Sequence, residues 1–253
     1  SVASRGLGDV YKRQDLGNEF FSLWLDDTLT YSSAIFNENS KNLSEAQNNK
    51  YQKLIDLIKP NNGDKVLEIG CGWGGFSTYA AKNFKSKIDA ITISKAQFEY
   101  ASNKIQKEGL GEKVSIKFKD YRDIDSQYSN IASIEMFEAV GKKYWEKYFD
   151  VVKNSLVDSG KAALQIITID EKRSFNYQSQ PDFIQQYIFP GGMLPTKKEL
   201  LDINQKVGLD FSEIKSFGKS YAKTLNMWNN QFQNSWQDLL QLGFNKRFKR
   251  MWE

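Results

Sequence analysis

Beyond its first residues the chain alternates short apolar runs with longer amphipathic stretches, which is the rhythm of βαβ crossover units. The pattern predicts strands near 65–69, 87–93, 114–118, 130–134 and 161–168, and helices near 74–84, 95–108, 142–155 and 197–207. Strands and helices in that order predict an α/β fold built on a doubly wound, mostly parallel sheet. Ahead of the first strand, residues 15–62 read as a helical N-terminal cap. Its front is dense in aromatics from Asp15 to Phe36, and an amphipathic helix follows over 44–58, with Ser44 as N-cap and Leu54, Ile55, Leu57 and Ile58 along its apolar side. Pro60-Asn61-Asn62-Gly63 closes that helix. After the fifth strand, residues 170–195 break the rhythm and predict a lid or pocket wall. Residues 211–217 read as a sixth strand, and 221–242 as one long Trp-bearing helix.

Residues 1–14 show neither period. They resemble translated library-adapter sequence and are set aside as a foreign leader, leaving 63–253 as the main domain. Composition then narrows the chemistry. The chain has 253 residues, 40% hydrophobic and 26% charged, with a net charge of +4, enough for a sizeable core without the strong basic bias of a nucleic-acid binder. No apolar run approaches the ~18 residues of a membrane span. The single cysteine, Cys71, forms no intramolecular disulfide and fits a cytoplasmic setting. Histidine is absent, which removes the commonest general base and metal ligand and argues against a zinc site or a Ser-His-Asp triad.

The most informative stretch is Lys65-Val66-Leu67-Glu68-Ile69-Gly70-Cys71-Gly72-Trp73-Gly74-Gly75-Phe76, a strand entering a glycine-rich turn and then a helix. Glycines at 70, 72 and 75 match GxGxxG, a spacing shared by nicotinamide, flavin and S-adenosylmethionine (SAM) folds. Glu68 suits a cationic amino-acid ligand and would repel a pyrophosphate. The next strand ends in Ser94 rather than in the acid that holds an NAD ribose. SAM is therefore the expected cofactor, against a nicotinamide or a purely structural turn.

In order along the chain, DLGNEFFSLWLD, TYSSAIF, LEIGCGWGGF, ITISKAQ, MFEAVG and YIFPGGMLP resemble the cyclopropane fatty acid synthase family, which includes the mycolic acid cyclopropane synthases and related fatty-acid methyltransferases. The resemblance runs from about residue 15 to the C-terminus. It implies a class I, Rossmann-like SAM-dependent methyltransferase fold. It also implies that Tyr31 and Ser32 cap the cofactor, that Gly70, Gly72 and Gly74 line it with Glu68 nearby, that Thr92, Ser94 and Gln97 reach its ribose and methionine ends, and that Tyr121 and Arg122 lie at its adenine. The implied reaction adds a one-carbon unit to the double bond of an unsaturated fatty acyl phospholipid, giving a cyclopropane fatty acid. The base implied for ring closure is a bound bicarbonate.

The family's glutamate and tyrosine for that anion match Glu138 and Tyr221, whereas Ser33 stands where many members have cysteine and Gln165 where many have histidine. Both replacements still donate hydrogen bonds. A weaker anion site would divert the carbocation toward a methyl- or methylene-branched chain, and another small-molecule substrate is the remaining alternative. Lys246-Arg247-Phe248-Lys249-Arg250-Met251-Trp252 reads either as a solvated helix end or as a contact for an anionic membrane face. The resemblance also implies that relatives carry His-Tyr before Asp15, and a seventh, antiparallel strand between the fifth and sixth, so a truncated domain with a gapped sheet is expected.

Overall fold

The computed structural model describes residues 16–253, and the stretch read as a leader lies outside them. The apolar runs form β1 (Lys65–Ile69), β2 (Lys87–Thr92), β3 (Val114–Phe118), β4 (Tyr128–Ile134) and β5 (Leu156–Gln165). They pair in parallel in the order β3-β2-β1-β4-β5. Val66 through Ile69 of β1 are all buried, because a central parallel strand is covered on both faces. The helices are α1 (Gly17–Ser22), α2 (Leu43–Ile58), α3 (Gly75–Asn83), α4 (Lys95–Lys107), α5 (Trp145–Asn154), α6 (Glu171–Ser179), α7 (Lys197–Val207), α8 (Gly218–Asn234), α9 (Trp236–Gln241) and α10 (Lys246–Trp252).

Three cores result. One gathers Leu54 and Ile58 of α2 and Phe76 of α3 with Val66 and Ile88. A second gathers Tyr148, Phe149 and Val152 of α5 with Leu67, Ile69 and Ile131. The third is the N-terminal cap, where Phe20, Phe21 and Trp24 pack with Trp228, Phe232, Trp236 and Phe248 from the last three helices. Phe20 is fully buried, with ring centroids of Phe244, Trp252 and Phe248 at 4.9, 5.2 and 5.5 Å, mostly edge-on as aromatic quadrupoles prefer. The segment from Leu16 to Leu25 and the C-terminal helices thus form one aromatic core.

Several expectations need correction. Helix α2 is capped by Asn42, whose Oδ1 accepts the Glu45 N–H at 2.9 Å, while the Ser44 hydroxyl donates to Asp26 at 3.2 Å. Strand β5 stops at Gln165 because the Ile167 N–H turns to the Glu138 carboxylate instead of a strand partner. Residues 211–217 are not a strand. They lie exposed, with Phe211 at 45% and Ile214 at 52%, so solvent serves their peptide groups and no buried donors are stranded there. Among the described residues, no strand borders the outer edge of β5. The long C-terminal helix divides at Ser235, whose hydroxyl donates to the Leu23 carbonyl at 2.6 Å. In α10, Phe248 is buried and Met251 and Trp252 pack against the cap, so its apolar residues face the core. Among the described residues, no helix is long and apolar enough to cross a membrane.

Truncating Phe20 to alanine is expected to cost on the order of 3–5 kcal/mol, the range for a fully buried aromatic. Urea unfolding checks this, and a loss below about 1 kcal/mol would mean that the cap does not unfold with the sheet.

Candidate functional site

The strand order reverses between β1 and β4, and in such sheets the ligand crevice opens beyond the carboxyl ends of the strands at that point. A cavity of about 460 Å³ lies there, within the range of small-molecule sites. Tyr31, Ser32, Glu68, Gly70, Gly72, Thr92, Ser94, Gln97, Tyr121 and Arg122 all line it.

The cradle turn is locked by the Gly70 and Cys71 N–H groups, which both donate to the Ile91 carbonyl at 3.0 Å. Gly70 has φ +79°, and a Cβ there would fall 2.6 Å from Met136 Cγ. Gly72 differs, because a Cβ at that position would meet nothing within 4 Å and would project into open space. Gly74 stands back from the cavity wall. Its φ of +79° and the 3.3 Å that a Cβ would leave to Ala101 Cβ show that glycine there also permits the close approach of α3 to α4.

Glu68 is buried and accepts from the Ser77 hydroxyl, and burial pushes its carboxyl up to about 8. A cation placed beside it would restore the ionised form. Gln97 faces Thr92 across 3.0 Å, and the Thr92 hydroxyl accepts the Ser94 N–H at 3.1 Å, which fixes the end of β2. Arg122 is held in a fork by Asp120, at 3.0 and 2.8 Å, leaving Tyr121 against Tyr148. Opposite, the Tyr31 ring lies 5.2 Å from Phe21, 5.1 Å from Trp228 and 6.3 Å from Phe189 of the 170–195 insertion. Trp73 Nε1 donates to Asn18 at 2.7 Å and ties the cap to the cradle. SAM fits this lining: glycine leaves room at 72, a buried carboxyl waits for a cation, and aromatic rings close the far side.

Ser33, Glu138, Gln165 and Tyr221 do not line the cavity. Ser33 and Gln165 come together behind its wall, on a residue that sequence reasoning missed. Glu135 Oε1 accepts the Ser33 backbone N–H and the Gln165 side-chain amide, each at 2.8 Å, and the same amide donates to the Ser33 carbonyl at 3.0 Å. Glu135 lines the cavity and holds φ +46°, a left-handed conformation that costs a glutamate on the order of 1–3 kcal/mol unless its surroundings enforce it. The Ser33 hydroxyl donates to the Ala34 carbonyl at 3.1 Å, so the side-chain donors of Ser33 and Gln165 are both engaged within the protein, and this pair does not stand open to bicarbonate.

Glu138 Oε1 accepts the Ile167 N–H at 2.5 Å, and its carbonyl accepts the Met193 N–H at 2.9 Å. Tyr221 sits in the first turn of α8, packed against the aromatic cap. A signal for Glu135 existed in its position at the carboxyl end of a strand next to β1. Polar Gln47 and Lys50 among the buried positions of α2 were likewise legible as odd.

Comparison with known proteins agrees with the geometry. The sequence model of the family described as mycolic acid cyclopropane synthetase matches residues 3–253. Tuberculostearic acid methyltransferase UfaA1 of Mycobacterium tuberculosis is 37% identical over 94% of this chain and 58% of that protein. Cyclopropane-fatty-acyl-phospholipid synthase of Escherichia coli is 35% identical over 94% of this chain and 59% of that protein. The chain thus spans less than two thirds of the length of these relatives. Mycolic acid cyclopropane synthase CmaA1, solved with SAH and CTAB, superposes with a TM-score of 0.87 at 26% identity, covering 94% of this chain and 86% of that one. A cradle that fits SAM and a family match over nearly every residue lead to one assignment: the chain belongs to the mycolic acid cyclopropane synthetase family.

Proposed function

We propose that the chain methylates the double bond of an unsaturated fatty acyl phospholipid, with Glu135 taking the proton that the substrate cation sheds, and that the product is a methylene-branched chain. The observation that carries this reading is the Glu135 carboxylate, held by Ser33 and Gln165 at the cavity wall. SAM, when bound, supplies an electrophilic methyl on a sulfonium and leaves as a neutral thioether. Methyl transfer leaves the neighbouring alkene carbon cationic. A hydride shift brings the charge to the methylated carbon, and loss of a proton from the new methyl to Glu135 gives a methylene (C=CH2) branch on the chain. Tyr31 and the aromatic wall behind it exclude water and offer ring faces to the cation. The name of the tuberculostearic acid methyltransferase relative supports methyl transfer. A cyclopropane remains the second reading, favoured by the similarity to the bacterial cyclopropane synthase. Association with an anionic membrane face and a cytoplasmic setting belong to the same proposal.

The experiment is incubation with SAM and unsaturated phospholipid vesicles, with and without bicarbonate. Methylene and cyclopropane products share a mass, so proton NMR of the released fatty acids separates them. Vinylidene protons formed without bicarbonate are expected, and bicarbonate-dependent upfield cyclopropyl protons would overturn the reading. Glu135→Gln keeps the shape but not the base, and is expected to lower turnover by roughly 10²-fold or more while SAM affinity stays within about threefold. Gly72→Val should abolish SAM binding by calorimetry, since its side chain would occupy the ligand's volume. Unchanged affinity in that variant would contradict the placement of the cofactor.

A further inference from the structure

The 170–195 insertion carries several of its apolar side chains outward. Phe175 on α6 is 81% exposed, and Phe183, Ile184 and Tyr187 are 50%, 48% and 40% exposed. The last three belong to one wide turn, Ile184–Ile188 and the residue before it, in which the Phe189 N–H reaches the Ile184 carbonyl at 2.8 Å. That turn buries Gln185 and Ile188 and leaves its other side to solvent, with the Phe183 and Tyr187 rings 5.1 Å apart. Polar bonds fix its shape. Gln185 Oε1 accepts the Asp182 N–H at 3.0 Å, and Gln185 Nε2 donates to the Gly192 carbonyl at 3.1 Å. The insertion is also moored to the rim of the cavity. The Phe189 ring lies 6.3 Å from Tyr31, the Met193 N–H donates to the Glu138 carbonyl at 2.9 Å, and Lys142 Nζ, next in the chain to cavity-lining Gly141, donates to Gln178 Oε1 at 2.6 Å.

We propose that Phe175, Phe183, Ile184 and Tyr187 form the surface by which the protein docks onto a phospholipid bilayer, holding the cavity at the membrane from which an acyl chain is drawn. This rests on the acyl phospholipid reading above. Together the four side chains expose on the order of 400 Å². That is half of the ~800 Å² per partner that a stable protein interface buries, so a second copy of the chain would be poorly held. A bilayer needs no matching surface, and phenylalanine and tyrosine suit its interfacial layer. The exposed charges of the insertion nearly cancel, with Lys172 and Arg173 set against Asp170, Glu171 and Asp182. Insertion of apolar rings, more than attraction to anionic headgroups, therefore carries the contact. The basic run at the C-terminus is a poorer surface, because its Phe248, Met251 and Trp252 pack into the cap.

The test is flotation of the full chain with vesicles of dioleoyl phosphatidylcholine and dioleoyl phosphatidylglycerol. The double variant Phe183→Ser/Tyr187→Ser and the single variant Phe175→Ser are compared with Phe211→Ser, which removes a comparably exposed ring outside the insertion. Each insertion variant is expected to lower partitioning into vesicles about tenfold or more, the factor that goes with burying one aromatic side chain. Phe211→Ser should leave partitioning unchanged. SAM affinity by calorimetry should be the same in all of them, which also shows that they fold. The proposal is overturned if partitioning survives in the insertion variants and disappears in high salt, or if Phe211→Ser lowers it as much. A lipid-free dimer in the ultracentrifuge that the insertion variants abolish would overturn it too, in favour of a second copy. The two readings fail separately. Ring-dependent flotation of a chain that turns over no vesicle lipid leaves the docking surface standing and removes the proposed reaction, whereas lipid turnover with flotation indifferent to the rings does the reverse.

Discussion

The strip from Thr30 to Ala34 carries the constraint on which the site depends, because among the described residues it pairs with no strand and is gripped by side chains from distant elements. Gln47 and Lys50 grip Ser32 from α2, Glu135 takes the Ser33 N–H from the end of β4, and Thr224 of α8 takes the Ala34 N–H at 3.1 Å. Each is a long-range contact, so the strip takes its shape only when cap, sheet and C-terminal helices are all in place. Tyr31 sits at its front, between the aromatic core and the cavity.

That dependence links folding to chemistry. The aromatic core of Phe20, Trp24, Trp228, Phe232 and Phe248 is the main apolar driving force that brings the ends of the chain together. The polar groups beneath it could not be buried without that gain. Lys50 and Glu68 are ionisable groups buried in a water-poor site, where burial opposes the charge on each and an unmatched charge is costly. The proposed reaction, which passes from a sulfonium to a carbocation, would benefit from polar groups preorganised in this way.

The left-handed backbone at Glu135 illustrates the same trade. A glutamate at φ +46° is strained, and the N–H donors of Ser33 and Gln165 hold it there. In the proposed reaction that carboxylate, and not a bound anion, is the proton acceptor. A fixed internal base and a diffusible one place the proton acceptor differently around the same substrate cation, which gives related folds a physical route to different products.

What the sequence by itself determined was local. The first four strands, the glycine turn at Gly70 and Gly72, and α7 with its capping box at Thr196 follow from period, propensity and capping within a few residues of chain. Even the cofactor could be argued from Glu68 and Ser94. Tertiary structure decided the rest. Residues 211–217 have a strand's composition but, among the described residues, no strand to pair with, and β5 ends where Glu138 captures the Ile167 N–H. Ser44 has a cap's chemistry, yet Asp26 claims its hydroxyl and leaves the cap to Asn42. Ser33, Gln165 and Glu135 are separated by 102 and 30 residues along the chain and meet only through the order of the strands and the docking of the cap. Sequence patterns record what each segment does with its neighbours along the chain, whereas a hydrogen-bonded carboxylate at a cavity wall depends on which distant donors the fold delivers to it.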